Sequence, residues 1–237
     1  MQAFIKEALL VRSSNGWIIY LHIKHAMRQL LTCIFLFILF TSCDQPGSNK
    51  PVDLTRNGVQ IAYSSCGEGD TSLLFVHGWC INKQYWEPQV KDFCPSYKVV
   101  TIDLSGFGQS GKNRTEWNFD EYTEDIRAVI EQLSLKNVIL IGHSMSGDII
   151  LNVSNKHPDL VAGIVGVDNL HEPGAPQTAA QQEENTDFFS MLSSSFDSSV
   201  NKYMKPYLFQ PATDTAVVNR VMNSVFMADS SIAISVL

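Results

Sequence analysis

The chain has 237 residues, of which 45% are hydrophobic and 17% charged, and its formal net charge is −7. This length and composition fit one globular domain with an ample core. An acidic chain without a basic cluster argues against nucleic-acid binding. The sequence also lacks a P-loop, a dinucleotide fingerprint and a paired cysteine spacing for metal, so no cofactor or metal is expected.

The N-terminal region predicts a secretory signal. Met27 is followed by a basic residue and then by an apolar run from Leu30 to Phe40. This run of about eleven residues is too short to span a bilayer but suits the core of a signal peptide, which we assign to residues 27–42. Signal peptides start close to their basic residue, so we interpret residues 1–26 as an upstream extension or a mis-assigned start.

The sequence Phe40-Thr41-Ser42-Cys43 ends this apolar run. Small residues before a cysteine resemble a bacterial lipobox, although Phe40 replaces the usual aliphatic residue. The resemblance implies a membrane anchor through a lipid on Cys43, in the bacterial cell envelope and facing the periplasm or the exterior. Residues 43–53 would then form a flexible tether. An ordinary cleaved signal peptide and a short anchor are the alternatives.

Aliphatic runs alternate with helical patterns along the rest of the chain. Asn57-Gly58 predicts a hairpin turn. The apolar run at 73–76 predicts a buried strand, and the apolar runs at 99–102 and 161–167 predict further strands. Apolar residues also line one face of a helix predicted from Asp120 to Leu133. This alternation predicts an α/β fold with a largely parallel sheet.

The segment Gly142-His143-Ser144-Met145-Ser146-Gly147 directly follows another apolar run, at 137–141. It predicts a strand that turns sharply into a helix, with Ser144 at the apex where a histidine could reach its hydroxyl. Such a turn brings together the residues two before and two after the serine, so both must be small. Gly142 meets this requirement, and Ser146 stands where the G-x-S-x-G pattern has glycine.

Two further motifs follow predicted strands, HGW at 77–79 and DLSGFGQS at 103–110. Together with GHSMSG at 142–147, they resemble the α/β-hydrolase family. Similar motif sets occur in esterases, cofactor-free haloperoxidases and carbon–carbon bond hydrolases. The resemblance implies an α/β-hydrolase core over residues 54–170, followed by a helical cap region over residues 171–237.

The resemblance also implies roles for individual residues. Ser144 would be the nucleophile that attacks a carbonyl carbon, and the backbone N–H groups of Trp79 and Met145 would hold the oxyanion. In the family the His-Gly pair shapes the oxyanion loop, so we expect His77 to be structural. We expect Asp103 to organise a loop at a strand end. His143 is expected to point away from the nucleophile, also in a structural role.

The family orders its triad as serine, then an acid, then a histidine. Two histidines follow the elbow. His157 lies at a predicted helix end, where an exposed histidine needs no function, and His171 matches no family position. Asp168 follows a strand from which some relatives take their acid, so it is the candidate acid within the chain. We expect the usual acid and base to lie beyond Leu237, which would make this chain a truncated and nearly inert hydrolase.

Apolar residues recur at four-residue steps in the C-terminal region, at Phe188, Leu192, Phe196 and Val200. They predict helices of a cap over the active site. The many Phe and Met residues of this cap favour a small apolar substrate. We also expect the strand at 161–167 to leave an apolar sheet edge and poor solubility.

Three cysteines, Cys66, Cys80 and Cys94, lie in the predicted mature domain. Two of them could pair in an oxidising envelope, and the sequence leaves the pair undefined. Cys80 follows the oxyanion loop. We expect a buried structural thiol there, with a reactive role as the alternative.

Two hypotheses about function follow. The first is an envelope-anchored, carboxylesterase-like serine hydrolase acting on a small-molecule ester. Haloperoxidase-like chemistry and carbon–carbon bond hydrolysis remain alternatives, because cap contacts and not the elbow select the substrate. The second hypothesis is a non-catalytic, hydrolase-like binding or interaction lipoprotein, or the product of a decayed gene.

Overall fold

The computed structural model describes residues 54–169 and 178–236. The predicted extension, signal peptide, lipidation site and tether, all before residue 54, lie outside the described residues, and so does His171. None of the helices in the described ranges is long and apolar enough to cross a bilayer.

A short antiparallel hairpin comes first, with β1 (Thr55–Arg56) paired to β2 (Val59–Gln60). The turn residues Asn57 and Gly58 have φ values of 52° and 79°. A type I′ turn requires positive φ at both central positions, which explains the Asn-Gly sequence. The predicted hairpin is confirmed.

The main sheet of the described residues has five strands, namely β3 (Tyr63–Cys66), β4 (Ser72–Val76), β5 (Lys98–Ile102), β6 (Val138–His143) and β7 (Val161–Val167). Their order in the sheet is β3-β5-β4-β6-β7. β3 runs antiparallel to β5, and the other neighbouring pairs are parallel. The predicted α/β fold with a mostly parallel sheet is confirmed.

The described helices are α1 (Glu87–Phe93), α2 (Phe119–Gln132), α3 (Ser146–Lys156), α4 (Ala179–Ser194), α5 (Phe196–Ser199), α6 (Lys205–Leu208), α7 (Thr215–Met227) and α8 (Ser230–Ser235). Single turns of 3-10 helix occur at Lys83–Trp86 and Pro158–Leu160, and a π-helical turn occurs at Val200–Met204.

Helix α2 agrees with the helix predicted in this part of the sequence to within one residue at each end. The Asn118 side chain caps it by accepting the Glu121 N–H group at 2.9 Å. This bond satisfies one of the donors that a helix start leaves without an intrahelical partner. Tyr122, Ile126 and Val129 are fully buried along one face, as the apolar pattern predicts.

Side chains of β4 alternate between two apolar clusters. Leu74 and Val76 belong to a large core that also includes apolar residues of α2 and α3. Leu73 and Phe75 belong to a smaller cluster that contains Trp86. Because successive side chains of a strand point to opposite faces, the sheet is covered on both sides at β4, as expected for parallel strands.

The predicted apolar stripe of the cap region is also buried. Leu192 and Val200 are completely inaccessible, and Phe188 and Phe196 pack against the same large core. The helix breaks at Ser195, yet the stripe continues across the break. The C-terminal helices therefore share a core with the sheet.

β7 forms an edge of the sheet within the described residues. Val165 is 46% exposed and Val167 is 36% exposed, and a side chain added at Gly163 would meet no atom within 4 Å. The predicted apolar edge is present in the described part of the chain. The poor solubility expected from it stays a prediction.

The structure defines the cysteine pairing that the sequence leaves open. Cys66, at the end of β3, forms a disulfide with Cys94, just after α1, and their Cα atoms are 5.7 Å apart. Cys80 is a buried free thiol. Burial raises the pKa of this thiol, which disfavours the reactive thiolate and agrees with a structural role.

Candidate active site

Ser144 occupies the apex of a sharp turn from β6 into α3. Its φ is 51°, a left-handed backbone conformation that is uncommon outside glycine. Its N–H group donates to the Val167 carbonyl at 3.0 Å, and its carbonyl accepts the Gly147 N–H at 2.8 Å. The residue is exposed. Strained backbone that exposes a serine after a parallel strand is the geometry of a nucleophile elbow.

The residues on either side of this apex are in close contact. A Cβ atom on Gly142 would lie 2.5 Å from the Ser146 carbonyl oxygen, so only glycine fits there. Ser146 is fully buried, and its hydroxyl donates to the His77 carbonyl. The departure from the glycine pattern therefore has a physical reason, because the serine hydroxyl ties the elbow to the loop after β4.

The loop that follows β4 packs directly against the elbow. A Cβ atom on Gly78 would lie 3.1 Å from the Ser144 Cβ and 2.7 Å from His143 Nδ1. The backbone N–H groups of Trp79 and Met145 make no hydrogen bond to any other described residue. Both predicted oxyanion donors thus lie on segments next to Ser144, with their N–H groups uncommitted in the described structure.

Trp79 also connects this loop to the C-terminal helices. Its indole Nε1 donates to the Ala233 carbonyl of α8 at 2.7 Å. Its ring lies against Phe196, with the two ring centroids 5.7 Å apart. The position of the Trp79 backbone therefore depends on the cap region as well as on the sheet.

His77 is a structural residue of the oxyanion loop. It is fully buried, its Nε2 accepts the Leu104 N–H at 3.0 Å, and its Nδ1 donates to the Gly78 carbonyl at 2.7 Å. Burial is the main cause that lowers the pKa of His77, so the ring is neutral at pH 7. With both nitrogens engaged, it is not available as a base for Ser144. This geometry agrees with the expected role in shaping the loop.

Asp103 organises two loops at the carboxyl end of the sheet. Its buried carboxylate accepts the Lys83 N–H at 2.7 Å, the Lys83 Nζ at 2.8 Å and the Gln109 N–H at 2.9 Å. A Cβ atom on Gly108 would lie 2.4 Å from the Asp103 carboxyl carbon. Asp103 is therefore a loop-organising residue, as expected. The sequence pattern gave no indication of its partner Lys83.

His143 is held between aromatic side chains. Its ring stacks on Tyr85 with centroids 5.0 Å apart, and it meets Trp86 edge-on at 6.4 Å. Burial lowers the pKa of His143, and the charge of Asp168 opposes this in part. The buried Nδ1 has no hydrogen-bond partner. These contacts agree with the expected structural role, although the aromatic partners were not predicted.

Asn169 holds the elbow from the end of β7. Its Nδ2 donates to the Gly142 carbonyl at 2.8 Å and to the Ser144 carbonyl at 3.1 Å. A Cβ atom on Gly147 would lie 2.4 Å from the Asn169 amide carbon, so this glycine makes room for the amide. No motif in the sequence indicated a role for Asn169. Its one available signal was its position directly after Asp168.

The candidate acid Asp168 directly follows β7, whereas His157 directly follows α3. No histidine in the described ranges donates to or accepts from the Ser144 hydroxyl, and Asp168 is exposed at the end of β7 with a φ of 53°. His157 is not simply an exposed helix end, because its Nε2 bonds to Glu124 Oε1 at 2.9 Å and its side chain is 23% exposed. This contact arises because the end of α3 packs beside α2.

Over the described residues, no group of three or more His, Cys, Asp or Glu side chains is placed to hold a metal ion.

The family model of the alpha/beta hydrolase fold matches residues 71–192. The chain belongs to this family. The matched segment starts just before β4 and ends within α4, so it contains the elbow and the loop that carries Trp79.

Several curated proteins from this family are similar in sequence. A non-heme chloroperoxidase of Kitasatospora aureofaciens is 32% identical over 108 residues, which cover 45% of this chain and 39% of that protein. A pimeloyl-[acyl-carrier protein] methyl ester esterase of Yersinia enterocolitica is 31% identical over 108 residues, covering 46% and 40%. Epoxide hydrolase 1 of Caenorhabditis elegans is 32% identical over 120 residues, covering 49% and 30%. The matches thus span less than half of each relative.

Solved structures show the same fold. An esterase from Exiguobacterium antarcticum has a TM-score of 0.68 at 23% identity, with 76% of this chain and 69% of that chain covered. A bromoperoxidase from Bacillus anthracis has a TM-score of 0.64 at 23% identity, with 75% and 68% covered.

Proposed function

We propose that this protein is a serine hydrolase of the carboxylesterase type, with Ser144 as nucleophile and small apolar acyl compounds as substrates. The observation that carries this proposal is the backbone of Ser144, which holds an exposed hydroxyl at positive φ between β6 and α3. Such strain persists only where surrounding contacts impose it, and it concentrates at functional sites. Here Gly142, Ser146 and Asn169 supply those contacts.

The proposed reaction starts when Ser144 Oγ attacks the acyl carbon of an ester. The carbonyl oxygen becomes an oxyanion that accepts from the N–H groups of Trp79 and Met145. Loss of one such donor typically slows turnover about a hundredfold to a thousandfold. The alcohol leaves, and water then releases the acid from the acyl-enzyme. Gly78 is important here because any side chain at its position would push the loop away from Ser144.

The hydroxyl of Ser144 needs a base to take its proton. The described histidines are engaged elsewhere: His77 with Leu104 and Gly78, His143 with aromatic rings, and His157 with Glu124. In this proposal the base is therefore supplied by a residue outside the described ranges. Asp168, next to the Asn169 contact, is the candidate acid that would orient it.

The apolar character of the proposed substrate is supported by Trp79 and Phe196, which form an aromatic pair beside the proposed oxyanion loop. The proposed ester hydrolysis is supported by the sequence similarity to a protein named as a methyl ester esterase. Haloperoxidase-like chemistry is an alternative activity for the same nucleophile elbow, because a chloroperoxidase is similar in sequence to part of this chain.

The direct test uses hydrolysis of p-nitrophenyl butyrate. In a full-length protein that hydrolyses this ester, Ser144→Ala is expected to reduce turnover to the uncatalysed background, because loss of the nucleophile in a serine hydrolase costs about a millionfold. The matched control is Ser193→Ala, which removes an exposed hydroxyl from α4. Unchanged turnover in Ser144→Ala would reject Ser144 as the nucleophile.

A second candidate function is non-catalytic ligand binding or interaction by a hydrolase-like lipoprotein. It is favoured by one observation, which is that no described histidine makes a hydrogen bond with the Ser144 hydroxyl. A fluorophosphonate probe separates the two functions, because it labels only an activated serine. Absence of Ser144 labelling together with absence of hydrolysis would favour the binding role.

We also propose that a lipid on Cys43 anchors the protein to a bacterial envelope membrane, facing the periplasm or the exterior. The Cys66–Cys94 disulfide supports this location, because disulfides persist in oxidising compartments. Cys43→Ser is expected to abolish incorporation of labelled palmitate in a bacterial host, whereas Cys33→Ser should leave it unchanged. Equal labelling of the two variants would refute the anchor.

A further inference from the structure

A cavity of about 380 Å³ lies between the loops after β4 and β5 on one side and helix α7 on the other. Ligand pockets typically measure about 300–1,000 Å³, so it is large enough for a small molecule. Its walls include Asn82, Asp103 and Arg220 but not Ser144, Trp79 or Met145. We call it the basic cavity, and it is separate from the elbow.

The charges of the basic cavity do not cancel. Its cations are Lys83, Lys112 and Arg220, and its carboxylate is Asp103. Lys83 is neutralised by Asp103 at 2.8 Å. Arg220 and Lys112 have no ion pair within 4 Å among the described residues. Two positive charges thus remain uncompensated at this cavity, although the whole chain carries −7.

Carboxylates near these two cations are already occupied. Asp103 accepts from three donors, as described above. Hydrogen bonding from Ser231 is the main cause that lowers the pKa of the Asp229 carboxyl, and the charge of Lys112 contributes to it. However, its Oδ1 accepts the hydroxyl and N–H of Ser231, and it lies beyond ion-pair distance of Lys112. An incoming anion would therefore meet cations whose protein partners are distant or absent.

The remaining walls combine polar and apolar groups. Asn82 and Asn223 line the cavity together with Met227 and Ala228. Asn82 Nδ2 also donates to the Ser224 hydroxyl at 3.3 Å, which links α7 to the loop after β4. A pocket with a few convergent polar groups and an apolar wall suits a ligand that has one charged end and one apolar end.

We propose that the basic cavity binds a small organic anion, with its carboxylate or phosphate group against Arg220 and Lys112 and its apolar group against Met227 and Ala228. Guanidinium groups form paired hydrogen bonds with both kinds of anion. This site is independent of the proposed hydrolysis at Ser144, so either proposal can fail alone.

Isothermal titration calorimetry with phenylacetate, phenyl phosphate and the neutral phenylacetamide tests the proposal. We expect the two anions to bind more tightly than the amide, and Arg220→Gln to weaken anion binding about tenfold. Lys91→Gln is the matched control, because it removes an exposed cation from α1 away from the cavity. Ser144→Ala should bind the anions as the wild type does. The tighter of the two anions identifies the preferred charged group.

Hydrogen exchange then locates the bound anion. We expect slower exchange in α7 and in residues 80–84, with unchanged exchange in residues 142–147. The proposal is overturned if the anions bind no better than phenylacetamide or if Arg220→Gln retains the affinity of Lys91→Gln. Protection confined to residues 142–147 would also overturn it.

Discussion

Ser146 replaces the glycine of the elbow pattern because its hydroxyl has a specific acceptor. The side chain is buried where the elbow meets the loop after β4, and it donates to the His77 carbonyl. A larger side chain would press against β6, since the Ser146 backbone is already in contact distance of Gly142. One hydroxyl thus joins the two segments that carry the proposed nucleophile and oxyanion donors.

Removing this hydroxyl should have a measurable cost. Ser146→Ala is expected to lower the free energy of unfolding by about 1–3 kcal/mol, because the buried His77 carbonyl loses its donor. Urea denaturation followed by circular dichroism measures the change. Ser193→Ala, which alters an exposed hydroxyl, should shift the midpoint very little. Equal shifts in the two variants would show that the bond to His77 contributes nothing.

The buried histidines predict how stability depends on pH. The pKa values of His77 and His143 are lowered from the ordinary 6.5, mainly by burial. On unfolding, each imidazole becomes able to take up a proton below that pH. Their contribution to stability is therefore complete above pH 6.5 and is lost as the pH falls toward the folded pKa values.

We expect the free energy of unfolding to decrease between pH 7.5 and pH 5.5. The limiting slope is about 1.4 kcal/mol per pH unit for each histidine. His143→Gln removes one of the two groups and should make the slope shallower. Denaturant titrations at several pH values measure it. A slope that is the same in both proteins would contradict a contribution from His143.

At the scale of elements, β3 is fastened to the segment after α1. The Cys66–Cys94 disulfide closes a loop with a sequence separation of 28 residues. It joins the antiparallel edge strand of the sheet to the helix layer beside β5. This edge is thus held by a covalent bond as well as by the ladder to β5.

Breaking the disulfide should destabilise the protein. A loop of this length corresponds to about 3–4 kcal/mol of chain entropy in the unfolded state. Cys66→Ala combined with Cys94→Ala is expected to lose roughly that free energy of unfolding. The wild type should lose a similar amount in dithiothreitol, whereas the double variant should not respond to it. If dithiothreitol left the thermal unfolding midpoint of the wild type unchanged, the result would argue against the Cys66–Cys94 pairing.

At the scale of the whole molecule, the two edges that the sheet has within residues 54–169 and 178–236 differ. β3 is the strand at one edge and carries the disulfide, whereas β7 is the strand at the other edge and exposes Val165 and Val167. Exposed apolar edge strands template pairing with other chains. We therefore expect the chain 1–237 to self-associate through β7.

Val165→Lys is expected to reduce this association, because a charge on an edge strand opposes strand pairing. Light scattering and size-exclusion chromatography measure the effect. The control is Val217→Lys on α7, where a similarly exposed valine (39%) lies outside the sheet. A monodisperse wild-type monomer, or equal improvement by both substitutions, would contradict a role for β7.

Local sequence patterns were enough to predict much of this fold. The Asn57-Gly58 turn, the amphipathic α2 and the strand-to-helix turn at Ser144 each depend on neighbours within a few residues. The contacts that no local pattern predicted join distant segments. Asn169 reaches Gly142 across 27 positions, and the choice of Cys94 as partner of Cys66 depends on how α1 packs. Composition and periodicity do not encode such pairings. They indicate which face of a helix or strand is apolar, but not which other face it packs against.

Trp79 gives the protein an optical reporter of its own. Its indole N–H bonds to the α8 backbone, and its ring touches Phe196. Trp86, by contrast, is almost fully buried with an unbonded indole nitrogen. Displacement of α8 would break the Trp79 hydrogen bond and expose its ring to water, which would change the fluorescence emission of Trp79. The emission of the buried Trp86 would not change. Movement of the helices above the elbow can thus be followed by intrinsic fluorescence, without attaching any dye.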